Sequence, residues 1–339
     1  MKRRRKSNSR NKLVLISIIF IIALVILFRE KTKVNISKTV DDIPPTITLN
    51  GLQEEKVVLG DTFIEPGFSA EDNVDGDISE NIKVEGNVDT SKSGTYEIKY
   101  SIIDHAGNTY DTTRKVIVCN SLGEAGLPVL MYHFFYDKNN GEGQDGNWIE
   151  ITKFEEQMKY LADNNFYFPS WQEIEDYIDG KKHLPEKSVV ITVDDGDPSF
   201  FELAVPVIQK YNVKATSFVV AYWYGGRAEN KEAGISYQSH SYDMHKPGDK
   251  GKGVMLSWSY EKIKEDLELS SKVLGGANIF CYPFGQYNET DIKALKDTNY
   301  KLAFTTAAGR VKKGASKYEL PRVRVSANTS FNDFKKKVD

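Results

Sequence analysis

The chain has 339 residues, 40% hydrophobic and 27% charged, with a formal net charge of −3. The balance is that of an ordinary globular protein, at a length suited to two domains. Seven Lys and Arg among the first twelve residues leave the remainder at −10, which argues against a nucleic-acid partner and leaves a neutral substrate open.

In chain order, the basic segment 1–12 is followed by Leu13 to Phe28, an apolar run with Ser17 as its only polar residue. As a helix it reaches about 24 Å, and Lys12 and Arg29 can snorkel to close the gap to a bilayer core of roughly 30 Å. Positive charge on the N-terminal side predicts a cytoplasmic N-terminus, a single-pass anchor over 13–28 and an extracellular body. The run ends in Phe28-Arg29-Glu30-Lys31 rather than in the small residues of a cleavage site, so an uncleaved anchor is expected. Residues 29–43 read as a linker closed by Pro44-Pro45.

From 44 to 119 the text is β-like: Thr46–Leu49, Val57–Leu59, Tyr96–Ile103 and Thr113–Val118 are strand-type runs, broken by Pro66-Gly67, Asp75-Gly76, Ser93-Gly94 and Gly107-Asn108. Short strands with such punctuation suggest a small all-β sandwich. The acidic text at 70–77 invites an EF-hand reading with Gly76 at the sharp turn. The twelfth position is then Ile82, where a bidentate Glu is required, so that reading fails. AlaGluAspAsnValAspGlyAsp at 70–77, SerGlyThrTyr at 93–96 and AspHisAlaGlyAsn at 104–108 resemble the immunoglobulin-like repeats of bacterial surface proteins. The resemblance implies a spacer or a wall-binding module.

Beyond residue 120 strand and helix signals alternate. Val129–Met131 is a short apolar run, and Thr152-x-x-Glu155 reads as a capping box opening a helix with Phe154, Met158 and Leu161 on one side. Ser170-x-x-Glu173 opens a second helix with Ile174, Tyr177 and Ile178. Val189–Val193 follows as a strand, and Asp197-Pro198 reads as N-cap and first helical residue. Ala215–Val220 is a strand, Ile263, Leu267 and Leu274 line a helix ended by Gly275, and 279–282, 302–305 and 323–325 are further strands. The alternation over 120–339 predicts an α/β fold with a parallel sheet or β/α barrel, whose functional residues gather at the C-terminal strand ends.

Asp194 and Asp195 lie at such an end, in ThrValAspAspGly at 192–196. Asp-Gly is a turn dipeptide, so two adjacent carboxylates could be a surface turn. They could equally be a site in which each serves a different purpose, because successive strand side chains point to opposite sides. His240 and His245 are two of five histidines, and five apart they converge on one ion only from a loop. Two His and one Asp make a catalytic zinc-type set with positions left open. CysTyrProPheGly at 281–285 closes another strand.

These three motifs, in this order, resemble the polysaccharide deacetylase family of the NodB-homology type, carbohydrate esterase family 4. The resemblance implies a distorted β/α barrel that removes acetyl groups from glycans by metal-assisted hydrolysis. It assigns Asp194 as general base, Asp195, His240 and His245 as metal ligands, and the Tyr282 backbone N–H as an oxyanion donor. The ion implied is divalent, with zinc first and cobalt, nickel or iron also compatible with the donor set. Pro283 and Phe284 belong to the substrate-binding motif. Trp223, Tyr224 and Trp258 could stack on sugar rings or serve only as core.

The spacing of the two histidines, one residue longer than the family's usual motif, is similar to that of poly-N-acetylglucosamine deacetylases. That group carries its general acid near the start of the domain, where MetTyrHis at 131–133 nominates His133, which could instead cap the first strand. Where the family has an arginine supporting the base, this chain has Cys281, and Arg322 and Arg324 are both candidates to replace it. His183 reads as solvent-exposed, and His105 belongs to the β-rich region. Two cysteines, Cys119 and Cys281, make no disulfide framework, and free thiols are expected. The expected substrate is an acetylated cell-surface polysaccharide, peptidoglycan or poly-N-acetylglucosamine. The alternatives are a degenerate enzyme acting as a wall-glycan-binding protein, and an O-acetyl esterase.

Overall fold

The structure, a computed structural model, describes residues 41–339 apart from 142, 144, 249 and 250. The anchor expected over 13–28 lies outside the described residues. Among the described residues no helix is long and apolar enough to cross a membrane.

Among the described residues, seven strands precede residue 120: β1 Thr46–Leu49, β2 Glu54–Val58, β3 Phe68–Asp72, β4 Gly76–Asp77, β5 Lys83–Glu85, β6 Gly94–Ile103 and β7 Thr109–Cys119. They form a three-stranded sheet, β1-β3-β4, and a four-stranded sheet, β2-β7-β6-β5. Buried alternating residues, Ile98, Tyr100 and Ile102 on β6 and Val116 and Val118 on β7, give each strand one apolar face. Phe68 of the smaller sheet packs on Tyr100 of the larger, ring centroids 5.2 Å apart.

By its contacts the described part of the chain divides into two compact units, one holding residues 41–50 with Gly67–Val84 and Lys99–Thr112, the other Gly51–Pro66, Glu85–Ile98 and Thr113–Asp339. The second unit therefore takes in β2 as well as everything after residue 120. Within it, His183 is exposed as expected, and its Nδ1 lies 3.0 Å from Asp61 Oδ1.

The second unit is built on a closed barrel of parallel strands in the order β11-β12-β13-β14-β15-β16-β8. These are β8 Val129–Tyr132, β11 Val190–Val193, β12 Ala215–Val219, β13 Ile235–Ser239, β14 Ile279–Cys281, β15 Leu302–Ala308 and β16 Leu320–Arg324. Two short strands, β9 Phe134–Tyr136 and β10 Trp148–Glu150, pair beside it. Residues 190–193 are buried on both faces, as strands between a barrel interior and covering helices must be. β13 has no counterpart among the expected strands. Its sequence, ISYQS, is half-buried and polar, so it lacks the β-branched run that marks its neighbours.

The helices are α1 Ile151–Asp163, α2 Trp171–Ile178, α3 Val205–Lys210, α4 Ala221–Tyr224, α5 Tyr260–Val273, α6 Glu289–Asp297 and α7 Phe331–Val338. Phe154, Met158 and Leu161 of α1 are buried as expected, but its N-cap is Glu150 and no side chain caps it. The expected Thr152–Glu155 box is therefore corrected: the helix begins one residue before Thr152, whose hydroxyl donates to Glu150 Oε2 instead. The Ser170–Glu173 box is formed in full. Asp197 Oδ1 accepts from Ser199 N at 2.8 Å, so Asp197 caps the helical turn that Pro198 starts, and Phe200–Ala204 continues it as a wider π turn. At the end of α5, Gly276 N donates to Ser271 O at 2.8 Å and Gly275 N to Lys272 O at 3.3 Å, a Schellman closure with Gly275 at φ +71°.

Candidate active site

Three strand ends and one loop build the site. After β11 the chain turns sharply, with Asp195 and Gly196 both at φ 73°. Asp tolerates this left-handed region better than most residues. At Gly196 a Cβ would also meet Val219 Cγ1 at 3.0 Å, so the Asp-Asp-Gly text is a backbone requirement as well as a chemical one. The turn sends Asp194 and Asp195 to different partners.

Asp194 is 2% exposed. Its Oδ1 accepts from Arg322 Nη1 and its Oδ2 from Arg322 Nη2, both at 2.7 Å. Arg322 is itself buried on β16 and is held by Nε donating to Thr305 O at 2.9 Å and Nη1 to Thr192 Oγ1 at 3.1 Å. Burial alone would raise the Asp194 pKa, but the Arg322 charge and its forked hydrogen bonds outweigh it and hold the carboxyl well below the usual carboxylate range. Of the two arginines open to the role, Arg322 takes it. Arg324 donates to Asn147 Oδ1 instead.

Cys281 is buried at the end of β14, with Sγ 3.6 Å from Asp194 Oδ2. Burial pushes its thiol pKa up, so it stands beside the carboxylate as a neutral group. Its backbone does more: Cys281 O accepts from His240 Nδ1 at 2.7 Å. A carbonyl only accepts, so His240 carries a proton on Nδ1 and turns Nε2 inward.

His240 Nε2 and His245 Nε2 each lie 3.3 Å from Asp195 Oδ1, and the three side chains offer ligand atoms within 4.8 Å of one another. The loop that brings the histidines together is pinned three ways. Met244 is fully buried in the core, its N–H donates to Ser241 Oγ at 3.0 Å, and Ser241 sits at φ 84°. Asp266 of α5 accepts from Tyr242 N and Asp243 N, one on each carboxylate oxygen, at 2.7 Å. Burial pushes the Asp266 pKa up to about 6.

The donor set fits a divalent cation on structural grounds. Asp195 Oδ1 is buried without a hydrogen-bond partner, although two imidazole nitrogens face it. An acceptor oxygen facing the lone pair of a neutral His240 is repulsive unless a positive charge lies between them. Burial lowers the His240 pKa, but the neighbouring Asp195 and Asp194 carboxylates outweigh it and the net shift is upward. His245 is lowered to about 4 by burial and by His240. The set therefore attracts one positive charge and leaves His245 neutral, as a ligand must be.

His133, between β8 and β9, has Nε2 3.8 Å from Asp194 Oδ2. Burial lowers its pKa against the opposing pull of Asp194 and Asp195. Phe284 (φ 59°) and Trp223, each 44% exposed, have rings 4.5 and 5.5 Å from the His245 ring. Pro283 is buried and starts the turn that carries Phe284.

Two expectations need correction. The Tyr282 N–H donates to Phe304 O at 3.0 Å, extending the β14–β15 ladder, so it is not free to meet an oxyanion in this arrangement. Among the described residues the ring contacts of His240 and His245 are with each other, Trp223 and Phe284, and Trp258 makes none of them. It packs against the cluster of Met244, Met255 and Leu267, with Lys262 Nζ 3.6 Å over its ring. Sequence reasoning also missed Asp266. The available signal was a carboxylate on the apolar side of α5, among the buried residues Ile263, Leu267 and Ser270.

The sequence pattern of the polysaccharide deacetylase family matches residues 181–303, and that of the immunoglobulin-like domain of bacterial surface proteins matches 47–118. YxkH of Bacillus subtilis (strain 168), named for a polysaccharide deacetylase, is 31% identical over 221 residues, which cover 62% of this chain and 75% of that protein. The chain belongs to the polysaccharide deacetylase family. A second relative of this deacetylase is a poly-β-1,6-N-acetyl-D-glucosamine N-deacetylase of Staphylococcus aureus (strain MRSA252). It is 27% identical over 216 residues, 58% of this chain and 74% of that one. Among solved structures, IcaB from Ammonifex degensii superposes with a TM-score of 0.54 at 26% identity, over 64% of this chain and 97% of that one. The deacetylase is thus an enzyme of a family with members named as N-deacetylases, and it carries an immunoglobulin-like domain before the barrel.

Proposed function

We propose that the deacetylase is a metal-dependent hydrolase removing N-acetyl groups from an N-acetylglucosamine-containing cell-surface polysaccharide, with release of acetate. The observation that carries this reading is Asp194, ionised and clamped by Arg322, beside the convergent Asp195, His240 and His245. The name of the Staphylococcus aureus relative supports poly-β-1,6-N-acetylglucosamine as the substrate, with peptidoglycan as the competing glycan.

A divalent cation on Asp195, His240 and His245 supplies Lewis acidity toward an acetyl oxygen and toward water, and zinc suits two nitrogens and one carboxylate best. The remaining chemistry falls to this chain's side chains. Asp194 Oδ2 accepts the proton of the attacking water, because Arg322 keeps the carboxylate ionised and aimed. His133 Nε2, 3.8 Å from that oxygen, donates a proton to the departing sugar nitrogen. Burial keeps His133 neutral at rest, so the proton it gives is the one passed on from Asp194. The C–O bond forms, the C–N bond breaks, and acetate and a glucosamine unit result. Phe284 and Trp223, exposed beside His245, offer faces on which a sugar ring stacks.

The chain is further proposed to divide at 119/120 and to be held at the membrane by Leu13–Phe28, with the acidic body on the outer face of the cell. Support for the anchor is the sequence pattern alone. Mass spectrometry of poly-β-1,6-N-acetylglucosamine, peptidoglycan and an O-acetylated glycan, each incubated with the purified chain with and without chelator, tests the activity. Chelator-sensitive acetate loss from the amide of an N-acetylglucosamine polymer is expected. Acetate from the O-acetylated glycan alone would make the protein an esterase, and retention of glycan without acetate release would make it a binding protein.

A further inference from the structure

The immunoglobulin-like region holds a second convergence of carboxylates, far in character from the deacetylase site. Asp41, Asp72 and Asp104 each offer an oxygen, and the three oxygens lie within 4.8 Å of one another. They come from three separate parts of the chain: Asp41 precedes β1, Asp72 ends β3, and Asp104 follows β6. Two of them are nearly inaccessible, Asp72 at 5% and Asp104 at 7% exposure.

Hydrogen bonding accounts for only part of their charge. Asp104 Oδ1 accepts from Gly107 N at 2.7 Å and Asn108 N at 2.8 Å, and its Oδ2 from Asn108 Nδ2 at 2.8 Å. Asp72 Oδ1 accepts from Val74 N and Asp75 N, both at 2.8 Å. Asp72 Oδ2 is buried and has no hydrogen-bond partner among the described residues. A buried carboxylate oxygen without a donor is rare, and here it belongs to a group with two further anions beside it. The His105 side chain, next to Asp104, turns its Nδ1 to Asp75 Oδ2 at 3.0 Å.

The surrounding hydrogen bonds hold the three carboxylates in register rather than neutralising them. His105 N donates to Asp75 Oδ2 at 2.8 Å, tying the turn after β3 to the turn after β6. Asn108 Nδ2 donates to Asp41 O at 3.2 Å, bringing the segment that enters β1 against the same turn. A cation among these oxygens would offset the charge that the hydrogen bonds leave. With oxygen donors only, and neither nitrogen nor sulfur in the set, the chemistry is that of a hard ion.

We propose that Asp41, Asp72 and Asp104 form a calcium site in the immunoglobulin-like region. The contiguous run 70–77 fails as an EF-hand, yet its Asp72 serves a site assembled across the fold. Occupancy fixes the chain entering β1 against the β6–β7 turn. Magnesium, smaller and strict about octahedral geometry, binds more weakly to such a set.

Equilibrium dialysis of the chelator-treated full chain against radiocalcium tests the site. One calcium per chain is expected, with a dissociation constant at or below about 10⁻³ M, the range of extracellular modules. Asp72→Asn and Asp104→Asn are each expected to weaken it at least tenfold, and His240→Ala to leave it unchanged. Because the first two cap several turn amides at 2.7–2.8 Å, while Asp41 Oδ1 takes one long bond from Ile43 N at 3.4 Å, Asp41→Asn provides the separate control: tenfold weaker calcium binding with an unfolding midpoint in EDTA equal to the wild type's. No saturable binding at about 10 mM calcium, wild-type affinity in Asp41→Asn, or loss of binding in His240→Ala would each overturn the proposal.

Discussion

At the scale of single residues, the central feature is the buried Arg322–Asp194 fork. Lysine is a point charge without the fork, so Arg322→Lys should keep the domain folded yet misaim Asp194. A fall in kcat on the order of 10²-fold is expected from a displacement of about 1 Å, with metal content unchanged; steady-state kinetics with metal analysis checks both. Arg322→Ala leaves a buried carboxylate alone and should cost about 3–5 kcal/mol of stability, read by denaturant unfolding. The sign with pH follows from the depressed Asp194 pKa. The unfolded chain protonates this group near pH ~3.9, whereas the folded state does so only in stronger acid. The pair's stabilisation is therefore complete above that pH and is lost as pH falls below it. The gap between wild type and Arg322→Ala should narrow on acidification and stay level between neutral and mildly alkaline pH. Sequence reading reached Asp194 because it lies in a motif. It could only name Arg322 beside Arg324, since residues two apart share one side of a strand and which of them stands level with Asp194 depends on the register between strands. The Tyr282 N–H was misread for a similar reason: a ladder hydrogen bond to Phe304 is invisible in a linear motif.

At the scale of elements, the histidine loop depends on α5. Asp266 accepts from two successive part-buried loop amides, so Asp266→Ala leaves both donors without their carboxylate, at about 1 kcal/mol each. Metal affinity should drop about 10–100-fold, as for other groups that orient ligands without touching the metal; metal-buffered titration reads this directly. Gly196→Ala should cost about 1–3 kcal/mol, because its φ of 73° and the approach of Val219 at 3.0 Å both oppose a Cβ. The strands with β-branched runs were legible, and so was the end of α5, where Gly275 stands. β13 was not, because Ser236, Tyr237 and Gln238 carry no strand period, although this strand delivers His240. The helix at 151 was legible in its apolar face and misjudged at its cap, since Thr152 satisfies its hydroxyl on Glu150.

At the scale of the whole molecule, a barrel whose chemistry sits at one end follows an immunoglobulin-like region with an acidic cluster of its own. Both cysteines are free thiols, and burial raises the pKa of each. Thiol titration should find two groups per chain in denaturant and a slow or silent Cys281 in the native state, with identical mass before and after reduction. The most direct test of the central claim is a paired measurement on Asp194→Asn: bound divalent metal per chain and acetate released from poly-β-1,6-N-acetylglucosamine. Metal near one equivalent, as in the wild type, with acetate release lost is the expected result. Loss of the metal from Asp194→Asn, or acetate release at the wild-type rate, would contradict the division of labour between the two adjacent aspartates.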